Sequence, residues 1–259
     1  MSPLLLLLFS LQSPFLSDTA AWRENREARL KAPGGWLSLA GLFWLKEGDN
    51  EVPLPSRCGP AARIGFHAGR AVFDCRELRP DVPGPAEEIV KGDCTFFLIR
   101  RGDRFAIRLK DVNSAARTGF KGLRWYAPDA AYRVRARFVS APRRIPVLNI
   151  VGITEEFESP GYAEFRLEGR DLRLRPVLET EDATELFYIF RDETSGRETY
   201  PAGRFVYSDF PRNGEVILDF NRAYNPPCTF TEFATCPLPP RENRLSIAVR
   251  AGEKNYGAP

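Results

Sequence analysis

A single histidine, His67, stands among 259 residues, and that scarcity excludes a good deal. Zinc sites built on two or three histidines cannot form within one chain. Any Ser-His-Asp or Cys-His relay would have to run through His67 alone. His67 closes the strand-like run Ala62–His67 ahead of the turn Ala68-Gly69-Arg70, so it reads as a half-exposed strand residue. Cysteine is sparse as well. The five cysteines, at 58, 75, 94, 228 and 236, are odd in number and widely spaced, unlike a disulfide framework. No Cys-x-x-Cys pair occurs, so neither a zinc ribbon nor a thioredoxin-type motif is indicated. Cys228 and Cys236 are the one near pair, and a small disulfide loop between them is the candidate bridge in an oxidising compartment.

Long apolar runs are also missing. None reaches the roughly 20 residues that a membrane-spanning helix needs, so no integral membrane segment is expected. Trp36 to Leu45 is too short and reads as a buried segment. No glycine-rich loop follows a strand and opens a helix, which leaves nucleotide chemistry of that kind unsupported. A large excess of either charge is missing too: 37 Lys and Arg against 34 Asp and Glu leave a net charge of +3, and no nucleic-acid partner is expected from it. At the N-terminus, Leu4 to Phe9 is apolar and Thr19-Ala20-Ala21 offers small residues for cleavage. Lys and Arg are absent ahead of that run and Pro14 interrupts it, so a cytoplasmic location is favoured over export. Residues 1–17 are set aside as a signal or disordered leader.

What is present is an ordinary globular composition, 43% hydrophobic and 27% charged, which argues against global disorder. Ser17 or Asp18 can cap a helix reaching about Leu30, with Trp22 and Leu30 near one face and Arg23, Glu24, Arg26, Glu27 and Arg29 over the rest. Pro33-Gly34-Gly35 ends it, giving a helical arm over 18–34. Beyond it the apolar period is two. Cys94 to Arg100 and Arg104 to Lys110 flank Arg101-Gly102-Asp103 as a hairpin. Tyr132 to Ser140 alternates, with Arg133, Arg135 and Arg137 on one face as a solvated stripe. Tyr162 to Leu167 and Leu172 to Leu178 form a second hairpin. Leu186–Phe190, Arg204–Tyr207, Val216–Phe220 and Leu245–Val249 complete the strands. The fold class expected is mostly β, a sandwich or partly open barrel of antiparallel strands with an N-terminal helix. Residues 35–259 are expected to form one β-rich domain, with a sub-boundary near 112–122.

Four stretches carry a resemblance: Gly35-Trp-Leu-Ser-Leu-Ala-Gly-Leu-Phe-Trp-Leu-Lys-Glu-Gly48, Asp192 to Tyr207, Leu218-Asp-Phe-Asn-Arg-Ala-Tyr-Asn-Pro-Pro-Cys228 running on to Pro240, and Ala251-Gly-Glu-Lys254. Together they resemble a prokaryotic family of uncharacterised proteins catalogued only as a domain of unknown function. The resemblance covers nearly the whole chain after residue 20 and implies no reaction.

The segment from Arg222 to Arg244 is longer than most loops, and such loops are usually functional or disordered. Its prolines and its anchors Tyr224, Phe230, Phe233 and Leu238 speak for order. Asp219 and Asn221 leave one face of the strand end, and Tyr224 and Asn225 add a phenol and an amide. Such a set can hold a polar ligand or a hard cation through oxygen, or it can cap the strand and satisfy the loop's own backbone. Arg108 and Asp111 flank a strand end and can grip an anion or pair at the surface; Arg204 has the same two readings. Glu253 and Lys254 read as an acid/base pair or as a salt bridge. Cys228 reads as a nucleophile or as a structural thiol. No metal or cofactor is assigned. Two functions remain in view. One is a binding protein or hydrolase-like enzyme for a small polar or anionic ligand, with its site at the Asp219–Asn225 strand end and the proline-rich loop. The other is a non-catalytic β-rich interaction module whose motif residues are structural.

Overall fold

The computed structural model describes residues 14–82 and 84–257. The leader expected over 1–17 therefore lies largely outside the described residues. Helix α1 spans Pro14–Lys31, so it begins before the Ser17 or Asp18 cap read from the sequence. Its inner face carries Trp22, Arg26 and Leu30, spaced i, i+4 and i+8. Leu30 and Arg26 are both buried, whereas the sequence placed Arg26 among the outer charges. No helix among the described residues is long and apolar enough to cross a membrane.

The strands that follow are short and antiparallel. β1 (Leu39–Trp44), β2 (Gly48–Val52), β3 (Ala62–His67), β4 (Arg70–Phe73), β5 (Arg76–Glu77), β6 (Ile89–Lys91), β7 (Cys94–Arg101) and β8 (Arg104–Asp111) build two sheets, in the orders β1-β8-β7-β6 and β2-β3-β4-β5. A one-turn helix α2 (Ala115–Thr118) follows. β9 (Arg133–Leu148), β10 (Thr154–Leu167), β11 (Arg170–Leu174) and β14 (Glu215–Asp219) form a third sheet in the order β11-β10-β9-β14, and β12 (Glu185–Phe190) pairs with β13 (Arg204–Asp209). The chain is thus mostly β, with four antiparallel sheets, an N-terminal helix and no closed barrel among the described residues.

Two hydrophobic clusters divide along the chain. One draws on Val52 to Leu109, the other on Val134 to Ala251. The first holds a disulfide between Cys58 and Cys94, which the odd cysteine count had not suggested. Cys228 and Cys236, the bridge the sequence offered, stand side by side as free thiols instead. A third cluster joins Leu39 to Ile145, Phe187, Phe205, Ala234 and Cys236, fastening the front of the chain to the proline-rich loop.

β9 and β10 are longer than the alternation implied. Pro142, Pro146 and the arginines between them break the apolar pattern, yet pairing continues to Thr154↔Leu148 through a bulge near Gly161. Leu245 to Val249 is not a strand. Its side chains do alternate inward, with Leu245, Ile247 and Val249 buried. Its backbone is shared out: the Leu245 amide donates to the Arg191 carbonyl and the Ile247 carbonyl accepts from the Glu193 amide, while the Val249 carbonyl accepts from Arg204 and the Val249 amide donates to Asp192. Side chains take over at Val249, where the backbone pairing with 191–193 ends. Trp36, expected to be buried, is 40% exposed.

Candidate functional site

The strand end at Asp219 and Asn221 is closed upon itself. Asp219 Oδ1 accepts from the Asn221 amide and from Asn221 Nδ2, each at 3.0 Å. Asn221 then clamps Asp129, accepting from its amide at 2.9 Å and donating to its carbonyl at 2.8 Å. The second Asp219 oxygen has Arg222 at 3.7 Å and Arg133 at 3.9 Å. Both side chains act on backbone, as a cap and a staple.

Further on, the chain turns inward. Gly252, at φ +79°, lets the C-terminal segment press against the 220–223 turn; an added Cβ would stand 2.4 Å from the Ala223 carbonyl oxygen. That approach delivers Glu253, which is fully buried. Its carboxylate accepts from Asn225 Nδ2 at 2.8 Å and from the Asn225 amide at 3.1 Å, and Arg26 Nε lies 3.7 Å away. Arg26 also donates to the Asn225 carbonyl at 2.9 Å and covers the Tyr224 ring at 4.5 Å. Burial pushes the Glu253 carboxyl up to about 7, against the pull of Arg26, Asn225 and Arg204. Burial likewise raises the Tyr224 phenol, against Arg26. Lys254 turns away to cap the Tyr126 ring at 4.5 Å. Glu253 and Lys254 are therefore not an ion pair; each serves a different neighbour.

Arg204 is as deeply buried as Glu253, 0% exposed. It meets Asp192 at 2.9 Å and donates to the carbonyls of Val249 at 2.8 Å and Ala251 at 2.5 Å. This is an internal clamp, and the surface reading of Arg204 does not hold.

Arg108 and Asp111 part company. Three residues apart on β8, they leave opposite faces. Asp111 faces the first core and pairs with Arg57. Arg108 faces the proline-rich loop and is 4% exposed. Its Nη2 donates to the Thr235 hydroxyl at 3.1 Å, and its guanidinium lies 5.7 Å from the Trp36 ring centre. Its Nε has no hydrogen-bond partner. Arg101, on the same face of the β7–β8 hairpin, donates to the same hydroxyl at 3.0 Å and is paired with Asp81 at 2.9 Å. Among the described residues no carboxylate pairs with Arg108. Burial, then repulsion from Arg101, lowers the Arg108 guanidinium to about 10, against the pull of the nearby Asp81 and of Cys236. The thiols of Cys228 and Cys236 sit in the same loop, with Arg108 near the Cys236 sulfur.

The nominated residues therefore fall into separate neighbourhoods. Asn225, Tyr224, Glu253 and Arg204 adjoin one another; Asp219 and Asn221 serve the turn beside them; Arg108 and Asp111 stand apart. Sequence reasoning missed Arg26, Arg101, Trp36 and Thr235. The helical spacing 22/26/30 was a readable signal for Arg26. Strand parity across the two-residue turn at Gly102-Asp103, which sets Arg101 and Arg108 on one face, was a readable signal for Arg101. Two open surface depressions of about 630 and 590 Å³ are lined by none of the nominated residues. The second lies over Arg135 and Arg137, which pair with Glu215 and Glu164. No group of three metal-ligating side chains occurs among the described residues.

Residues 118–254 match the family described as "Protein of unknown function (DUF1684)". Among solved structures, the chain is similar to an uncharacterised protein of Haloarcula marismortui determined by solution NMR. The two are 34% identical over 53% of this chain and 78% of that one, with a TM-score of 0.45. No curated protein matches.

Proposed function

The chain belongs to this family of unknown function, and from that premise we propose that it binds a small anionic molecule, bearing a carboxylate or a phosphate, at Arg108 and Arg101 beneath the proline-rich loop. The observation that carries this reading is the buried Arg108 guanidinium, which has no carboxylate partner among the described residues. Burying a charge is costly unless it is paired. Here two guanidinium groups converge on one neutral hydroxyl, that of Thr235; Arg101 has Asp81 as well, and Arg108 is the one that an anionic acceptor would satisfy. Trp36 is the exposed neighbour through which an anion would approach, and its indole offers a flat face to a ligand's apolar part. Cys236, the thiol on which the Arg108 charge acts, is pushed up by burial, which weighs against its attacking a ligand held at Arg108.

The second reading, a non-catalytic module whose motif residues build the fold, is favoured by Asp219 and Asn221. They serve the turn and the site elsewhere does not need them.

The test is thermal unfolding of wild type and Arg108→Met against inorganic phosphate, sulfate and small mono- and dicarboxylates. A ligand that binds only the folded state at a hundred times its Kd stabilises by about 2.7 kcal/mol. A rise in midpoint in wild type that is absent in Arg108→Met is expected. No rise with any anion, or an equal rise in both proteins, would overturn the proposal.

A further inference from the structure

The proline-rich loop holds two thiols whose arrangement has chemistry of its own, whether or not Arg108 takes an anion. Pro226 and Pro227 open a short turn, Pro227–Thr229, that sets Cys228 at the mouth of the loop. Eight residues on, before Pro237, the chain has doubled back. The Cys228 amide now donates to Cys236 Sγ at 3.2 Å, so the second sulfur lies against the first residue's own backbone. Proline at both ends restricts the alternatives open to this loop. Cys228 is partly exposed and Cys236 is buried. Tyr200 donates its hydroxyl to the Cys228 carbonyl at 3.3 Å and lies within reach of its sulfur.

We propose that Cys228 and Cys236 form a peroxide-reactive dithiol, with Cys228 the attacking sulfur and Cys236 the resolving one. The Cys228 thiolate attacks one oxygen of a hydroperoxide; the S–O bond forms, the O–O bond breaks, and the departing oxygen takes a proton and leaves as alcohol or water. Cys236 then gives up its proton and attacks the sulfenic sulfur. The S–S bond forms, the S–O bond breaks and water leaves. Two thiols and one hydroperoxide become one disulfide, one alcohol (or water) and one water, with the hydroperoxide as the only oxidant.

The local electrostatics divide the roles the same way. Hydrogen bonds from Cys236 and Tyr200 lower the Cys228 thiol despite its burial. Burial raises Cys236, and the charge of Arg108 works against that rise. The less buried sulfur is therefore the one favoured as thiolate, and the thiolate is the nucleophile. The other waits behind it, beside a cation that favours its ionisation once Cys228 is oxidised. The remaining free thiol, Cys75, is exposed, and the Cys58–Cys94 bond lies in a different core.

The experiment uses the full chain carrying Cys75→Ser, with the thiols at 228 and 236 confirmed free at the start, exposed to hydrogen peroxide at neutral pH and followed by peptide mapping. A 228–236 disulfide is expected, with the Cys58–Cys94 peptide unchanged as the internal reference. Adding Cys236→Ser is expected to leave a sulfenic acid on Cys228 that dimedone traps. Adding Cys228→Ser is expected to abolish the bond and to leave Cys236 reacting roughly tenfold more slowly than Cys228 does. Should either serine variant fail to fold, limited alkylation of the Cys75→Ser protein reads the same order, with Cys228 modified first. Cys236 modified first, further oxidation of Cys228 with no disulfide, or no reaction at either thiol would overturn the proposal.

Discussion

Arg204 and Arg108 are both arginines on β-strands, both covered by motif segments, both nearly inaccessible, and they differ in one respect. Arg204 ends on Asp192 and on the Val249 and Ala251 carbonyls. Arg108 ends on a threonine hydroxyl already shared with Arg101. The first arrangement takes over where the backbone pairing of 245–247 with 191–193 ends, and it ties the 249–251 segment to β13. The second leaves a buried guanidinium with no carboxylate in contact among the described residues, the nearby Asp81 being held by Arg101. A motif's burial therefore does not separate architecture from function; the accounting of partners does.

The comparison can be broken in order of expected effect. Arg204→Ala leaves Asp192 buried and uncompensated and frees two carbonyls, so it is expected to cost about 3–5 kcal/mol in urea unfolding. A loss below about 1 kcal/mol would show that the clamp does not hold the segment. Next comes Glu253. Its folded carboxyl is raised to about 7 by burial, so its contribution is fully present below the unfolded value and is lost as pH rises through about 7. Stability is expected to fall on the order of 3 kcal/mol between pH 5 and 8 from this group, and Glu253→Gln is expected to flatten that slope. A wild-type curve already flat there would place the carboxylate in a less costly setting than the structure gives it. Asp219→Ala removes a cap on the 220–222 turn and is expected to cost about 1–2 kcal/mol without changing any anion response. Smallest is Arg108→Met. Replacing an unpaired buried charge with an apolar side chain of similar length is expected to leave unliganded stability within about 1 kcal/mol of wild type, or to raise it. A loss above about 3 kcal/mol would make Arg108 a structural residue like Arg204 and would sharpen the comparison against the binding reading.

Much of the scaffold was readable in the residues. The hairpin around Gly102-Asp103, the strand at Leu186–Phe190 and the alternation of β9 each follow from a period of two and local turn chemistry, which need only near neighbours. Two strands were misjudged there: prolines 142 and 146 mask the length of β9, which its partner β10 enforces, and Leu245 to Val249 alternates like a strand without being one. The site was less legible. Asp219 and Asn221 advertise themselves by type and spacing, and the structure uses them to cap and staple. Arg26 looked like one charge among many on a polar helix, and it is buried because Tyr224 and Glu253 lie beneath it. The Cys58–Cys94 bond joins residues 36 apart through a pairing no spacing rule supplies.

The sequence by itself determined the β character, the turn positions, the exclusion of histidine-built zinc chemistry and the order of the proline-rich loop, because each rests on periodicity, composition or backbone restriction within a few residues. Only the tertiary structure decided which charges are answered. Asp192 comes to Arg204, Asn225 to Glu253, and among the described residues no carboxylate comes to Arg108, since a buried charge finds its partner across the fold and not along the chain.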